Sequence, residues 1–181
     1  MSTKIYWIAE NIGIMARPRG NEWLEDEIIA FSKQGVNIIV SLLEQQEVAE
    51  LGLRQEQELC KKHSIQFINF PIPDRSLPPK SRQTEAFIYS LSQQTSKIVI
   101  HCRMGIGRSS IIAACLLLNN KKAIEIISHI SAIRGLKVPD TAEQFQWLID
   151  REKLFHKPVH HPIQRQALHN HREDNDNITG R

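Results

Sequence analysis

Between Lys97 and Leu118 the chain passes from a short apolar, β-like run ending at Ile100 into His101-Cys102-Arg103-Met104-Gly105-Ile106-Gly107-Arg108-Ser109, and then into an apolar helical run from Ser110. A buried strand joined to a buried helix by so short a loop defines a βα unit, and the rest of the fold has to be built around it. The chemistry of the loop is equally restrictive. Cys102 is placed where a strand ends and a helix begins, beside unpaired backbone N–H groups and the positive end of the helix dipole, both of which favour an anion. Thiols in such settings have pKa values of roughly 3.5 to 7.5, against about 8.5 for a free one. Gly105 and Gly107 are expected to take positive φ and to turn the loop amides inward as an anion-binding nest. Arg108 adds a planar fork suited to two oxygens at once. A cysteine nucleophile, an amide cradle and a bidentate arginine together describe phosphoryl transfer to sulfur.

A nucleotide-binding loop of the Walker type is excluded, because no Gly-Lys-Ser or Gly-Lys-Thr follows the glycines. A rhodanese-like sulfur carrier also places a cysteine in an amide cradle, but the Gly-x-Gly-Arg-Ser ending favours a phosphatase. The pattern Cys-x5-Arg-Ser preceded by His resembles the protein tyrosine phosphatase superfamily, especially its small dual-specificity, kinase-associated-phosphatase-like branch. The resemblance extends over about residues 1–157, through Ser41-Leu42-Leu43-Glu44, Pro71-Ile72-Pro73-Asp74 and a last helix opening Thr141-Ala142-Glu143-Gln144.

What the resemblance implies can be set residue by residue. Cys102 is the nucleophile, Arg108 binds the phosphate, and Ser109 stabilises the departing thiolate, a role compatible with capping the helix. His101 orders the loop, and Arg103, Met104, Gly105, Ile106 and Gly107 form the substrate cradle. Asp74, after a strand and among four prolines that limit backbone freedom, is the expected general acid. Asp140 is its competitor. Many tyrosine-specific relatives carry a glutamine that orients the hydrolytic water where this chain has Asp140. Here Asp140 and Glu143 read as a capping box, leaving Gln144, or Asp74 alone, to position the water. Arg17 and Arg19, on the turn before the first long helix, are candidates for a second phosphate or an acidic flank of the substrate. The two-step chemistry calls for no metal and no cofactor.

The 181 residues suit one domain with a real core. A net charge of +3 and a pI near 8.8 are compatible with an anionic substrate and too weak to argue for nucleic acid. Three irregularly spaced cysteines, Cys60, Cys102 and Cys115, read neither as a disulfide framework nor as a zinc site, and a reducing compartment fits them better. Cys60 is a possible disulfide partner for an oxidised Cys102. With no leader-like start and no long apolar run, a cytoplasmic protein without membrane insertion is expected.

Apolar periodicity places strands at Ile5–Ala9, Ile12–Ala16, Val36–Leu43, Ile65–Phe70 and Ile98–His101. Helices are expected at Trp23–Gln34, between Gln45 and His63, at Ser81–Gln94, and in three C-terminal segments. The alternation implies an α/β fold with a central, mostly parallel sheet flanked by helices on both faces, the site lying at the strand C-termini. The phosphatase domain is expected at 1–157. Residues 158–181, polar and bearing His160, His161, His169 and His171, read as a disordered tail rather than a metal site.

The substrate expected is a phosphorylated protein. Only Tyr6 and Tyr89 are present, and no segment resembles the tyrosine-bearing loop that deepens the cleft of strict phosphotyrosine enzymes. A shallow, dual-specificity cleft follows as the expectation. A phosphoinositide phosphatase is the alternative, supported by Arg103 but not by Ile106, and a phosphoprotein-binding pseudophosphatase is another.

Overall fold

A computed structural model describes residues 2–118 and 121–155. Among the described residues five strands and seven α-helices follow one another: β1 (Tyr6–Trp7), β2 (Ile12–Ala16), α1 (Leu24–Lys33), β3 (Ile38–Ser41), α2 (Gln45–Glu50), α3 (Glu56–Lys62), β4 (Gln66–Asn69), α4 (Arg82–Ser92), β5 (Ile98–Cys102), α5 (Arg108–Cys115), α6 (Ala123–Arg134) and α7 (Ala142–Phe155). A 3-10 turn, Asn21–Trp23, leads into α1. The sheet order is β1-β2-β5-β3-β4, with only the β1–β2 pair antiparallel. β5 is thus central, and its last residues sit level with the ends of both neighbours: Cys102 beside Ala16, His101 beside Ser41.

Side chains alternate across a strand, so each strand feeds two separate cores. Ile14, Val40, Ile100 and Cys102 face a layer made by α4 to α7, which includes Ile88, Ile112, Ile130 and Leu148. Met15, Ile39 and Val99 face the opposite layer, with Ile28 and Phe31 of α1 and Cys60 of α3. Helix α5 is buried at every residue, Arg108 and Ser109 included, as the all-round apolar run requires. It ends at Cys115, short of the expected Leu118.

Several elements differ from expectation, β3 among them, which is trimmed from Val36–Leu43 to Ile38–Ser41. β1 shrinks to two residues because its single neighbour leaves its other edge unpaired, and β4, the opposite edge, loses Ile65 and Phe70. The last helix is capped one residue later than the sequence suggests. Thr141 Oγ1 accepts from the Gln144 N–H at 3.2 Å and Gln144 Oε1 accepts from the Thr141 N–H at 3.3 Å, so the capping box is Thr141/Gln144, not Asp140/Glu143. The histidines expected in the tail lie outside the described residues.

Candidate active site

Cys102 closes β5 and Arg108 opens α5, so the five residues between them form a loop over the helix N-terminus. The loop is held from outside through its carbonyls. Arg103 O accepts from the Arg17 N–H at 3.3 Å, and Met104 O accepts from Arg134 Nη2 at 3.1 Å. Because a trans peptide points its N–H opposite to its C=O, the amides of Met104 and Gly105 face away from those anchors, an orientation that an oxyanion above Cys102 can use. Arg134 is itself stacked on the Tyr6 ring, 4.0 Å from its centroid. This support, from a residue far along the chain, was not visible in the sequence.

The two glycines serve different needs. Gly105 has φ +67°, and a Cβ there would lie 2.4 Å from the Met15 carbonyl group. Gly107, in contrast to the expectation, has φ −89° and needs no positive φ. Its constraint is space: an added Cβ would come within 2.7 Å of Gln144 Oε1 and 3.0 Å of Asp140 Cβ.

Cys102 is almost fully buried, with Sγ 3.5 Å from Ser109 Oγ. That places a hydroxyl donor against the sulfur, the arrangement needed to steady a leaving thiolate. Ser109 lies inside the first turn and does not cap the helix, since Gly107 occupies the cap position. Strand alternation sends His101 to the other face, where its Nε2 stands 3.0 Å from Glu56 Oε1 of α3. Both side chains are buried, yet the contact fails hydrogen-bond geometry and leaves their polar atoms without partners. The two groups are close without being hydrogen-bonded, because direction as well as distance defines a hydrogen bond.

Arg108 is buried and gripped by a carboxylate that the sequence reading did not single out. Glu47 Oε2 accepts from Nη1 at 2.7 Å and Glu47 Oε1 from Nη2 at 2.9 Å, the bidentate form. Nη1 also donates to Ile72 O at 2.8 Å and lies 3.4 Å from Leu42 O, while Nη2 donates to Asp74 Oδ1 at 2.8 Å. Burial works against charge on both partners of the pair. For Glu47, the Arg108 hydrogen bonds, the Glu44 N–H at 3.1 Å and nearby Arg103 outweigh it and hold the carboxyl below its usual range. For Arg108, Glu47, Cys102 and Asp74 outweigh it and raise the guanidinium further.

Asp74 stands after β4, on a segment tied to the sheet by Phe70 N–H to Ser41 O and Ile72 N–H to Leu42 O. Ile72 is fully buried and Asp74 half exposed, so the buried anchor carries an accessible carboxylate. Together with Arg75, Cys102, Arg103, Met104, Ile106, Gly107, Arg108, Asp140 and Gln144 it lines a cleft of about 250 Å³. Neither Arg17 nor Arg19 lines it. Arg17 Nη1 turns back to Pro18 O, and Arg19 is held by buried Glu27 at 2.7 Å and lies over Trp23. Arg103, at the cleft mouth, pairs with Glu50 at 2.6 Å. Neither tyrosine is in the cleft, Tyr6 lying under Arg134 and Tyr89 exposed on α4.

Cys60 packs in the core layer on the opposite side of the sheet from Cys102. Burial, with Glu56 nearby, pushes its thiol up to about 12, and burial does the same to Cys115. The sheet between them is a poor setting for the disulfide considered from the sequence. Among the described residues no group of three His, Cys, Asp or Glu side chains is disposed to hold a metal. No described helix is long and apolar enough to cross a membrane.

A cysteine at the floor of an amide loop, an arginine closing that loop and a carboxylate above it, on a five-stranded α/β sheet, define the cysteine-phosphatase class. Residues 13–122 match the family described as polymorphic toxin system, DSP-PTPase phosphatase, and the chain belongs to that family of the dual-specificity and tyrosine phosphatase superfamily. It is 30% identical over 122 residues to the protein tyrosine phosphatase domain-containing protein 1 of Mus musculus, an alignment covering 61% of this chain and 16% of that protein. The chain therefore spans only a small part of that relative's length. In fold it is similar to a kinase associated phosphatase whose catalytic-site cysteine is replaced by serine, with a TM-score of 0.75, 20% identity, and 86% and 97% of the two chains covered. It is also similar to PTPMT1 in complex with PI(5)P, with a TM-score of 0.66, 18% identity, and 83% and 96% covered.

Proposed function

We propose that this chain hydrolyses phosphomonoesters on proteins, through a phosphocysteine intermediate and with dual specificity. The observation that carries the reading is the convergence of Cys102, Arg108 and Asp74 on one cleft, with the buried Ser109 Oγ 3.5 Å from Sγ and Asp74 on Arg108 at 2.8 Å. In the first step the Cys102 sulfur bonds to phosphorus and the phosphorus–oxygen bond to the leaving group breaks. Loop amides and Arg108 hold the equatorial oxygens, and Asp74 gives its proton to the departing oxygen. In the second step Asp74 takes a proton from water, the water oxygen bonds to phosphorus, and the phosphorus–sulfur bond breaks. Ser109 then donates to the returning thiolate. The reading includes a reducing compartment, because the nucleophile works only as a free thiol.

The phosphoinositide reading is favoured by the basic side chains at the cleft mouth, Arg75 and Arg103. Each, however, faces a carboxylate, Asp140 at 3.4 Å and Glu50 at 2.6 Å, which offsets the charge a polyphosphorylated headgroup would use. The decisive experiment is turnover of an aryl phosphate with chelator present, followed by acid quench and mass analysis of the Cys102 peptide. Phosphate release with an 80 Da adduct, on the order of one HPO₃ group, supports the reading. Tight binding of phosphopeptides with no turnover would establish the pseudophosphatase instead. A parallel panel of phosphotyrosine and phosphothreonine peptides against phosphoinositides tests the substrate class, and exclusive lipid activity overturns the protein assignment.

A further inference from the structure

The first turn of α7 and the residue Asp140 before it each touch the loop that carries Asp74. Gln144 is fully buried, and its Nε2 donates to the Ser76 carbonyl at 3.1 Å, two residues beyond Asp74. Its Oε1 accepts from the Thr141 N–H, so both ends of the amide are occupied by backbone. On its other side the amide meets Gly107, where a Cβ would lie 2.7 Å from Oε1 and 2.9 Å from Nε2. The side chain is thus wedged between the phosphate loop and the Asp74 loop. Further out, Asp140 Oδ2 stands 3.4 Å from Arg75 Nε.

The Asp74 loop can be moved through that contact as a unit. The Ser76 N–H closes back on Pro73 O at 3.0 Å, and Arg75 inside this turn holds φ +55°. A tether on the Ser76 carbonyl therefore fixes the turn that bears the carboxylate. The contact is a single hydrogen bond and weak in isolation. It nevertheless acts where an error of about 1 Å in an acid's position slows proton transfer severely.

We propose that Gln144 is a positioning residue that latches the Asp74 loop over Cys102, with the Arg75–Asp140 pair as an outer strap. The inference rests on the hydrolase reading and adds to it a role different from orienting the hydrolytic water, the function suggested for Gln144 by sequence. The two roles act on different steps. A latch governs protonation of the leaving group, whereas a water-orienting amide governs breakdown of the phosphocysteine.

Gln144→Glu separates them, because a carboxylate still accepts from the Thr141 N–H but offers no donor to Ser76. Hydrogen exchange of the peptide covering residues 72–78 should quicken about threefold to tenfold in the variant, the loss of one hydrogen bond. Turnover of phenyl and alkyl phosphates should fall roughly tenfold or more, and that of an aryl phosphate with a good leaving group by less than about threefold. Added to Asp74→Asn, the change should bring no further loss on poor leaving groups, as expected when two residues act in one step. Unchanged exchange, or an equal loss on all leaving groups with phosphocysteine accumulating at quench, overturns the latch. Should Gln144→Glu fail to fold, Arg75→Ala replaces it, since that side chain is two-thirds exposed. It should show the same leaving-group pattern at smaller size, and a uniform loss or none overturns the proposal. If the wild-type chain turns over no phosphate ester, the hydrolase reading fails, and the exchange measurement alone decides whether the latch exists.

Discussion

Asp74 occupies the N–H of Arg108 Nη2 that Glu47 leaves open. Asp74 Oδ1 accepts from Arg108 Nη2 at 2.8 Å while Glu47 takes the other N–H of that nitrogen at 2.9 Å, and Nη1 is engaged by Glu47 and Ile72. A phosphate oxygen can reach Nη2 only as Asp74 lets go.

Competition of this kind has a measurable consequence. Asp74→Ala should bind inorganic phosphate or tungstate more tightly than the wild type by roughly threefold, a modest factor because a half-exposed ion pair is worth only about 0.2 to 1 kcal/mol. Calorimetric titration of both proteins checks it. Equal affinities would mean that oxyanion and carboxylate do not share Nη2.

Glu47 should matter to stability as much as to activity. Removing one partner of a buried, bidentate pair leaves an uncompensated charge, and Glu47→Ala is expected to cost about 3 kcal/mol and to abolish turnover. Because the folded carboxyl is held below its ordinary value of 4.5, its contribution to stability is fully present above that pH and is lost as the pH falls through the lowered folded value. Urea midpoints of wild type should therefore drop below pH 4.5, and Glu47→Gln should flatten that part of the dependence. A parallel drop in both proteins would place the acid-sensitive group elsewhere.

The three thiols should separate cleanly on alkylation. Burial lifts Cys60 and Cys115 to about 12, so their thiolate fraction at pH 7.5 is negligible. Brief iodoacetamide treatment of the native protein should label Cys102 alone, and inorganic phosphate should protect it. Mass analysis of the three cysteine peptides gives the answer, and early labelling of Cys60 would show that α3 opens on that timescale.

The phosphate loop was legible in the sequence because all of its chemistry is local: Cys102, the two glycines, Arg108 and Ser109 lie within eight residues, between a strand and a helix that announce themselves by apolar content. β2, Ile12–Ala16, is legible for the same reason. The buried carboxylates were not legible. Glu47 lies in a polar run, Gln45-Gln46-Glu47, that reads as solvated surface, and its partner is 61 residues away. Glu27, holding Arg19, and Glu56, against His101, have the same character. The cap of α7 shows a different limit. Asp140-x-x-Glu143 and Thr141-x-x-Gln144 are overlapping cap patterns one residue apart, and local rules do not choose between them. The contact of Gln144 with Ser76, 68 residues away, is consistent with the second and ties the cap to the site.

Gly105 and Gly107 should respond differently to alanine. At Gly105 the positive φ and the Met15 backbone 2.4 Å from a Cβ leave nothing flexible to yield, so Gly105→Ala should cost more than about 1 kcal/mol and disrupt oxyanion binding. At Gly107 the obstacle is the Gln144 side chain, so Gly107→Ala should keep most of the stability while displacing that amide. Thermal unfolding of the two variants checks the order, and the reverse order would show that the Gln144 amide is less yielding than the Met15 backbone.

The identity of the general acid can be settled between the two carboxylates lining the cleft, Asp74 and Asp140. Asp74 reaches Arg108 Nη2 at 2.8 Å, whereas Asp140 stands 3.4 Å from Arg75. In the proposed reaction Asp74 is therefore the better-placed proton donor. Asp74→Asn should slow turnover by roughly 10² to 10⁴ on phenyl or alkyl phosphates, whose leaving oxygens need the proton, and much less on nitrophenyl phosphate. Asp140→Asn removes one end of the outer strap and should give only a small loss with the same leaving-group trend. A steady-state series over leaving groups of graded basicity distinguishes them. If Asp140→Asn produces the large, leaving-group-dependent loss and Asp74→Asn the small one, the proton comes from Asp140, and the contact between Asp74 and Arg108 serves only to hold the loop.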